Sequence, residues 1–144
     1  MIVPSQRRMP QALADALSER FGINFSRSLA VRQQHGRDES SFDVEPPCAV
    51  VFAESRQDVA DAVRVIGDFG VPIIPFGAGS SVEGHLLAVQ GGVSLDVSRM
   101  NAVLSLDPDD LTVTAQPGIT RKALNDALRG TGLFFPIDPG ADAS

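Results

Sequence analysis

Residues 75–85 read PFGAGSSVEGH. Gly77, Gly79 and Gly84 are interspersed there with alanine and serine, directly after the apolar run VPIIPF. Small side chains let a bound group lie against the main chain, and successive N–H groups in a turn make a nest for anionic oxygens. Ser80 and Ser81 add hydroxyl donors. The same composition also describes a tight turn between strands, and the loop by itself leaves both readings open. Two better-known phosphate motifs do not apply. A P-loop ends in lysine and a hydroxyl residue before a helix, yet Lys122 is the only lysine of the chain. The dinucleotide fingerprint G-x-G-x-x-G requires glycine where Val82 stands, and a helix directly after it. The local reading is a nest of neutral donors with no cation nearby. Glu83 must point away from a bound anion, and His85 reads first as a local hydrogen-bonding group.

Other chemistry-bearing residues are weaker candidates. His35 and Asp38, in HGRDES, read as a surface pair within a polar connection. Asp107, Asp109 and Asp110 in DPDD read as a solvated turn rather than a metal site. Cys48 opens an apolar strand, where packing outweighs nucleophilic chemistry. No residue stands out as catalytic, and none as a metal ligand.

The elements that position the loop follow from periodicity. PQALADALSERFG predicts an amphipathic helix with Pro10 in its first turn and Leu13, Ala16 and Leu17 on one face. Residues 26–46 predict a short helix and then a polar connection. CAVVFA is a buried strand. In SRQDVADAVRVIGDFG, Ser55 caps a helix with Asp58 completing an acidic capping box, and Gly70 marks its end. Val59, Ala62, Val63, Ile66 and Phe69 recur at helical spacing on it. VPIIPF is the next strand, completing a βαβ unit. After the loop, GGVSLDVS alternates as a strand, and AVLSLDPDDLTVTAQPG predicts a hairpin. Thr120 caps a helix with Ala123, Leu124, Ala127 and Leu128 on one face, and LFFPI is a last strand. The fold class is α/β (α+β).

Composition limits the function classes. The chain has 144 residues, 43% hydrophobic and 21% charged, which suits one packed domain. A net charge of −6 argues against nucleic acid. No apolar stretch is long enough to span a membrane. The single Cys48 fits a reducing compartment. The first residues lack a signal core and carry Asp15 and Glu19, so the expected location is cytoplasmic.

In order along residues 30–144, HGRDES, PIIPFGAGSSVEGH, the run from GGVSLDVS through RKALNDAL, and GLFFPIDPGADAS are similar to a known family. They resemble the FAD-binding domain shared by vanillyl-alcohol oxidase and p-cresol methylhydroxylase, and within it the flavin-linked D-lactate dehydrogenase (cytochrome) and glycolate oxidase subunit group. The resemblance implies FAD as cofactor, with Phe76, Gly77, Ala78, Gly79, Ser80 and Ser81 around the pyrophosphate and Gly84 and His85 at the loop's far end. It places Pro136, Asp138, Pro139, Gly140, Asp142, Ala143 and Ser144 near the flavin, bound noncovalently. The chain then divides into an N-terminal helical and polar segment over 1–47 and a partial FAD-binding domain over 48–144, continued in the family by further flavin-binding structure and a substrate domain. The implied reaction of the intact enzyme oxidises a D-2-hydroxy acid to the 2-oxo acid, with electrons passing through FAD to a second acceptor. The family's acid–base histidine lies in those later parts, so these residues alone are expected to be inactive. A non-catalytic nucleotide- or anion-binding module is the competing class.

Overall fold

The computed structural model describes residues 9–137. Helix α1 (Gln11–Phe21) leads through a 3-10 turn (Gly22–Asn24) to the two-residue strand β1 (Phe25–Ser26) and then to α2 (Leu29–Gln34). Strand β2 (Ala49–Phe52), helix α3 (Arg56–Asp68) and strand β3 (Ile73–Phe76) follow. Strand β4 (Val93–Asp96), the hairpin β5 (Val103–Asp107) with β6 (Thr112–Ala115), and α4 (Arg121–Ala127) complete the order.

The main sheet runs β1-β2-β4-β3, with β4 parallel to both of its neighbours and β1 antiparallel to β2. The expected βαβ unit is present, but β4 is inserted between its two strands. That insertion explains why β4 is buried throughout instead of alternating. A central strand covered on both faces has no solvent side.

One face carries the main core. Ala49 and Val51 of β2 with Val93 and Leu95 of β4 pack against Leu13, Leu17 and Phe21 of α1 and Ala62 and Ile66 of α3. Arg20 clamps the two helices together, donating to Asp61 at 2.8 Å and to Asp58 at 3.0 Å. The Arg20 hydrogen bond holds the Asp61 carboxyl below the usual carboxylate range. Helix α3 starts as its sequence dictates, with the Ser55 hydroxyl oxygen accepting the Asp58 N–H at 3.1 Å. Its end is marked by Gly70 at φ +63°.

Several expected apolar faces are narrower than their periodicity. Val63 is 47% exposed and Phe69 41% exposed, because α3 turns Ala62 and Ile66, flanked by Val59 and Val65, toward the core. Ala16 is half-buried while Ala14 is buried, and Ala123 and Ala127 are exposed beside buried Leu124 and Leu128. Pro10 occupies the cap position of α1 rather than its first turn. Cys48 is half-buried and precedes β2, its N–H donating to the Gly92 carbonyl at 2.7 Å. The LFFPI segment forms no strand. The DPDD turn is closed by Asp107, whose carboxylate accepts the N–H groups of Asp109 and Asp110 at 3.1 Å each.

The opposite face is built around a histidine. Phe52, Asp96 and Phe76 stand in register across the carboxyl ends of the three parallel strands. His35, at the end of α2, lies over all three. Its ring centroid is 5.5 Å from that of Phe52, edge-on, and 4.2 Å from that of Phe76. Nδ1 is 2.8 Å from the Val31 carbonyl oxygen, and Nε2 is 2.8 Å from Asp96 Oδ2. A carbonyl can only accept, so the Val31 contact calls for a proton on Nδ1, while Nε2 faces the Asp96 carboxylate. His35 is therefore not the surface partner of Asp38 expected from the sequence. It is 5% exposed and paired with a residue 61 positions away.

Burial disfavours the ionised form of Asp96, but hydrogen bonds from His35 and from the hydroxyl and N–H of Ser98 outweigh it. They hold the carboxyl below the usual carboxylate range. The contribution of Asp96 to stability is then complete above the ordinary carboxylate value, near pH ~4, and is lost as pH falls through the lower folded value. Replacing His35 by alanine leaves this carboxylate buried without its partner and is expected to cost about 3–5 kcal/mol. Asp96→Asn should stay within about 1 kcal/mol of the parent, because the amide can donate to a neutral Nε2 and still accept from Ser98. Urea unfolding at neutral pH measures both, and equal losses would contradict the pairing. Asp96→Asn should also remove part of the acid dependence of unfolding.

Candidate functional site

The glycine loop leaves the carboxyl end of β3, where ligands bind in open parallel sheets. No helix follows Ser81; residues 81–88 form bends and turns before β4. Among the described residues, the main-chain N–H groups of 77–82 donate to no acceptor in the chain. Beyond them the donors are occupied. The Glu83 N–H meets the Ser81 hydroxyl oxygen at 3.2 Å, and the Gly84 N–H meets Asp38 Oδ2 at 2.8 Å. The loop thus presents a run of consecutive main-chain donors with no acceptor among the described residues, ending in a fixed turn.

The glycines differ in what they do. Gly79 has φ +75°, and a Cβ there would lie 3.0 Å from Cζ of Phe76. Gly84 has φ +74°, and a Cβ there would lie 2.7 Å from the Phe42 ring. Both positions favour glycine for conformation, and a side chain at either would press on a neighbouring phenylalanine ring. Gly77 has neither restriction, since its φ is ordinary and a Cβ would meet nothing within 4 Å.

Two clefts flank the loop. The first, about 300 Å³, is lined by Gln34, His35, Arg37, Asp38, Glu39, Phe76, Ala78 and Gly79. The second, about 500 Å³, lies between Ala78 and Ser98, Asn101, Gly118, Thr120 and Ala123. Ala78 is shared by both, so the loop forms the wall between them. The cation missing from the loop's own sequence is supplied in space by Arg37, which is exposed in the first cleft. Gly118 is needed because a Cβ there would collide with the Val97 carbonyl oxygen, and its N–H donates to the Met100 carbonyl at 2.8 Å. Thr120 caps α4 by accepting the Ala123 N–H at 3.1 Å.

Of the residues expected at the site, Phe76, Ala78 and Gly79 line these clefts directly. Gly77, Ser80 and Ser81 complete the free stretch of main chain. His85 Nδ1 is 3.1 Å from the Ser81 hydroxyl, the local hydrogen bond its position suggested. Pro136 lines a separate apolar cleft with Leu111, Leu128 and Phe134. Asp138, Pro139, Gly140, Asp142, Ala143 and Ser144 lie outside the described residues. Sequence reasoning missed Arg37, Ser98, Asn101 and Gly118. The motif QPG, with a glycine after a strand, was the one local signal for a close approach.

The arrangement suits a phosphate-bearing ligand, and comparison with known proteins agrees. A model of the FAD binding domain matches residues 47–144. A probable mitochondrial D-lactate dehydrogenase of Danio rerio is 50% identical over 115 residues, covering 80% of this chain and 23% of that protein. A mitochondrial D-lactate dehydrogenase (cytochrome) of Arabidopsis thaliana is 38% identical over 140 residues, covering 96% of this chain and 25% of that protein. The glycolate oxidase subunit of Bacillus subtilis is 30% identical over 118 residues, 82% of this chain and 25% of that protein. The chain thus spans about a quarter of the length of these relatives. Among solved structures, an alkyldihydroxyacetonephosphate synthase superposes with a TM-score of 0.85 at 26% identity, covering 94% of this chain and 30% of that one. p-Cresol methylhydroxylase shares the fold, with a TM-score of 0.74 at 21% identity over 87% of this chain and 26% of that one. A small-residue loop with free main-chain donors, set at the carboxyl ends of parallel strands and matched over most of its length by the family model, places this chain in the FAD-binding domain family.

Proposed function

We propose that this chain is the FAD-binding part of a flavin-dependent oxidoreductase that oxidises a D-2-hydroxy acid, of the lactate or glycolate type, to the 2-oxo acid. The observation that carries the reading is the run of free N–H groups at 77–82, seen in a chain half identical to a protein named as a D-lactate dehydrogenase. Main-chain donors suit the FAD pyrophosphate, and the lack of bulky side chains in 77–81 lets it approach. Phe76 and Gly79 shape the cradle, while Ser80 and Ser81 add hydroxyls. Pro136 and the residues from Asp138 to Ser144 belong on the flavin side in this reading. FAD, when bound, accepts the hydride equivalent and passes electrons to a second acceptor; the protein supplies position and electrostatics.

In this reading the acid–base group comes from outside the described residues. His35 is committed to Val31 and Asp96, and His85 hydrogen-bonds to Ser81 within the loop. A general base must reach the substrate hydroxyl, so the 144 residues alone should not turn over D-lactate. The single Cys48 fits a reducing compartment, and Asp15 and Glu19 suit a transit peptide poorly, which supports a cytoplasmic location, although the Danio and Arabidopsis relatives are named mitochondrial; cell fractionation decides between them.

A polypeptide carrying these residues with their genomic flanks should reduce an artificial acceptor when given D-lactate or glycolate, with FAD required. The 144-residue chain alone should not. Bound flavin without turnover of any D-2-hydroxy acid would favour the non-catalytic module instead. In the flanked protein, Gly79→Val should lose conformational stability, about 1–2 kcal/mol, together with flavin. Gly77→Val should leave stability near the parent's yet weaken FAD at least about tenfold by blocking approach to the main chain. Full flavin retention in both, read from absorbance after desalting, would show the loop to be only a turn.

A further inference from the structure

The connection between α2 and β2 looks from its sequence like a solvated linker, but it folds back onto the glycine loop. The Glu45 N–H donates to the Gly36 carbonyl at 2.9 Å, closing residues 36–45 on themselves. Gly36 makes this closure possible, since a Cβ there would collide with Pro46. The closed segment then touches the glycine loop at successive points. The Glu39 N–H donates to the Ser81 carbonyl at 2.8 Å. The Asp38 carboxylate accepts the Gly84 N–H at 2.8 Å through Oδ2 and the Ser40 N–H at 3.0 Å through Oδ1. The Phe42 ring fills the space a side chain at position 84 would need. The Ala88 N–H donates to the Glu45 carbonyl at 2.9 Å, fixing the far side.

From this geometry we propose that Asp38 is a positioning residue for the cofactor loop, pinning its distal end at Gly84 so that the donors of 77–82 stay free and preorganised for the FAD pyrophosphate. The inference rests on the reading of that loop as the pyrophosphate cradle. Its chemical basis is the cost of placing a carboxylate in a cleft that should hold an anion. Like charges sharing a site repel, so an acid beside Ala78 and Gly79 needs another task. Both oxygens of Asp38 have one, in accepting main-chain N–H groups. The Ser40 hydroxyl first, then the N–H groups of Ser40 and Gly84, hold this carboxyl below the usual range, so the charge that accepts these bonds is present at neutral pH. Charge-assisted bonds of this kind are stronger than neutral ones, which suits a fixed point on an otherwise flexible glycine-rich segment. Arg37, next in the chain and in the same cleft, makes no ion pair with a described residue and can offset the acid's field. The clamp also divides the loop. Its last donors are bonded within the protein, and only those before Glu83 remain for a ligand.

Two measurements test this together. Amide hydrogen exchange on the 144-residue chain reads the clamp without any cofactor, and FAD affinity of the flanked protein reads its consequence. Asp38→Ala should speed exchange in peptides covering 77–85 while leaving β2 and α3 at the parent's rates. It should also weaken FAD about tenfold, the change expected for one lost charge-assisted bond that orders a binding loop. Asp38→Asn keeps the shape and one acceptor oxygen but not the charge, so it should restore only part of both, whereas a purely space-filling role would restore both in full. Unchanged exchange in the loop of Asp38→Ala overturns the clamp. Faster loop exchange with parental FAD affinity also overturns the proposal, since the loop would then need no positioning. If the parent holds no FAD, the functional reading of the previous section fails, and the clamp stands or falls on the exchange data alone.

Discussion

The hydrogen-bonded pair of His35 with Asp96 is the contact on which the rest of this site depends. Three parallel strands end side by side at Phe52, Asp96 and Phe76, and a carboxylate at the centre of that row is costly to bury. His35 supplies the partner, covers both aromatic rings, and anchors its second nitrogen on the carbonyl of Val31. The two ends of this contact lead to the two clefts. On one side, the segment after His35 runs over the glycine loop. On the other, Asp96 accepts the Ser98 N–H at 2.7 Å and so shapes the turn that lines the second cleft. One buried pair thereby sets the relative positions of both loop systems.

From that frame the glycine loop takes its character. It is rooted at Phe76, whose ring rests against His35 and whose carbonyl accepts the Val97 N–H at 3.0 Å. Between this root and the turn at Glu83, the main-chain N–H groups of 77–82 have no acceptor among the described residues. A stretch of free N–H groups between two fixed points can receive an anion without first breaking internal bonds, which is what preorganisation requires. The small residues matter for access as much as for turning. Gly79 is needed for its backbone conformation, whereas Gly77 is constrained only by what approaches it from outside.

Much of this was readable along the chain because local chemistry dictates it. Ser55 with Asp58, Gly70, the hairpin turn at Asp107 and the Thr120 cap are each satisfied within a few residues, and each forms as its sequence predicts. The failures concern contacts between distant segments. Nothing in HGRDES announces that His35 pairs with a residue 61 positions later, or that Asp38 reaches the Gly84 N–H. The insertion of β4 between β2 and β3 is likewise invisible to periodicity, and it converts an apparently alternating strand into one buried on both faces. Val63 and Phe69 fit a helical face by spacing, yet the face that packs on the core runs through Val59, Ala62, Val65 and Ile66. LFFPI has strand composition but no neighbouring strand to pair with among the described residues, and composition alone does not form a ladder.

The proposed anion cradle is the main chain of 77–82. Its most direct test is an amide-resolved NMR titration of the 144-residue chain with inorganic pyrophosphate and with FAD, at concentrations high enough to populate a weak complex. The amide protons of 77–82 should shift most, in the same direction for both ligands. The Gly84 amide, already bonded to Asp38, should move little. Shifts centred elsewhere, or an unchanged 77–82 segment while FAD binds, would contradict it.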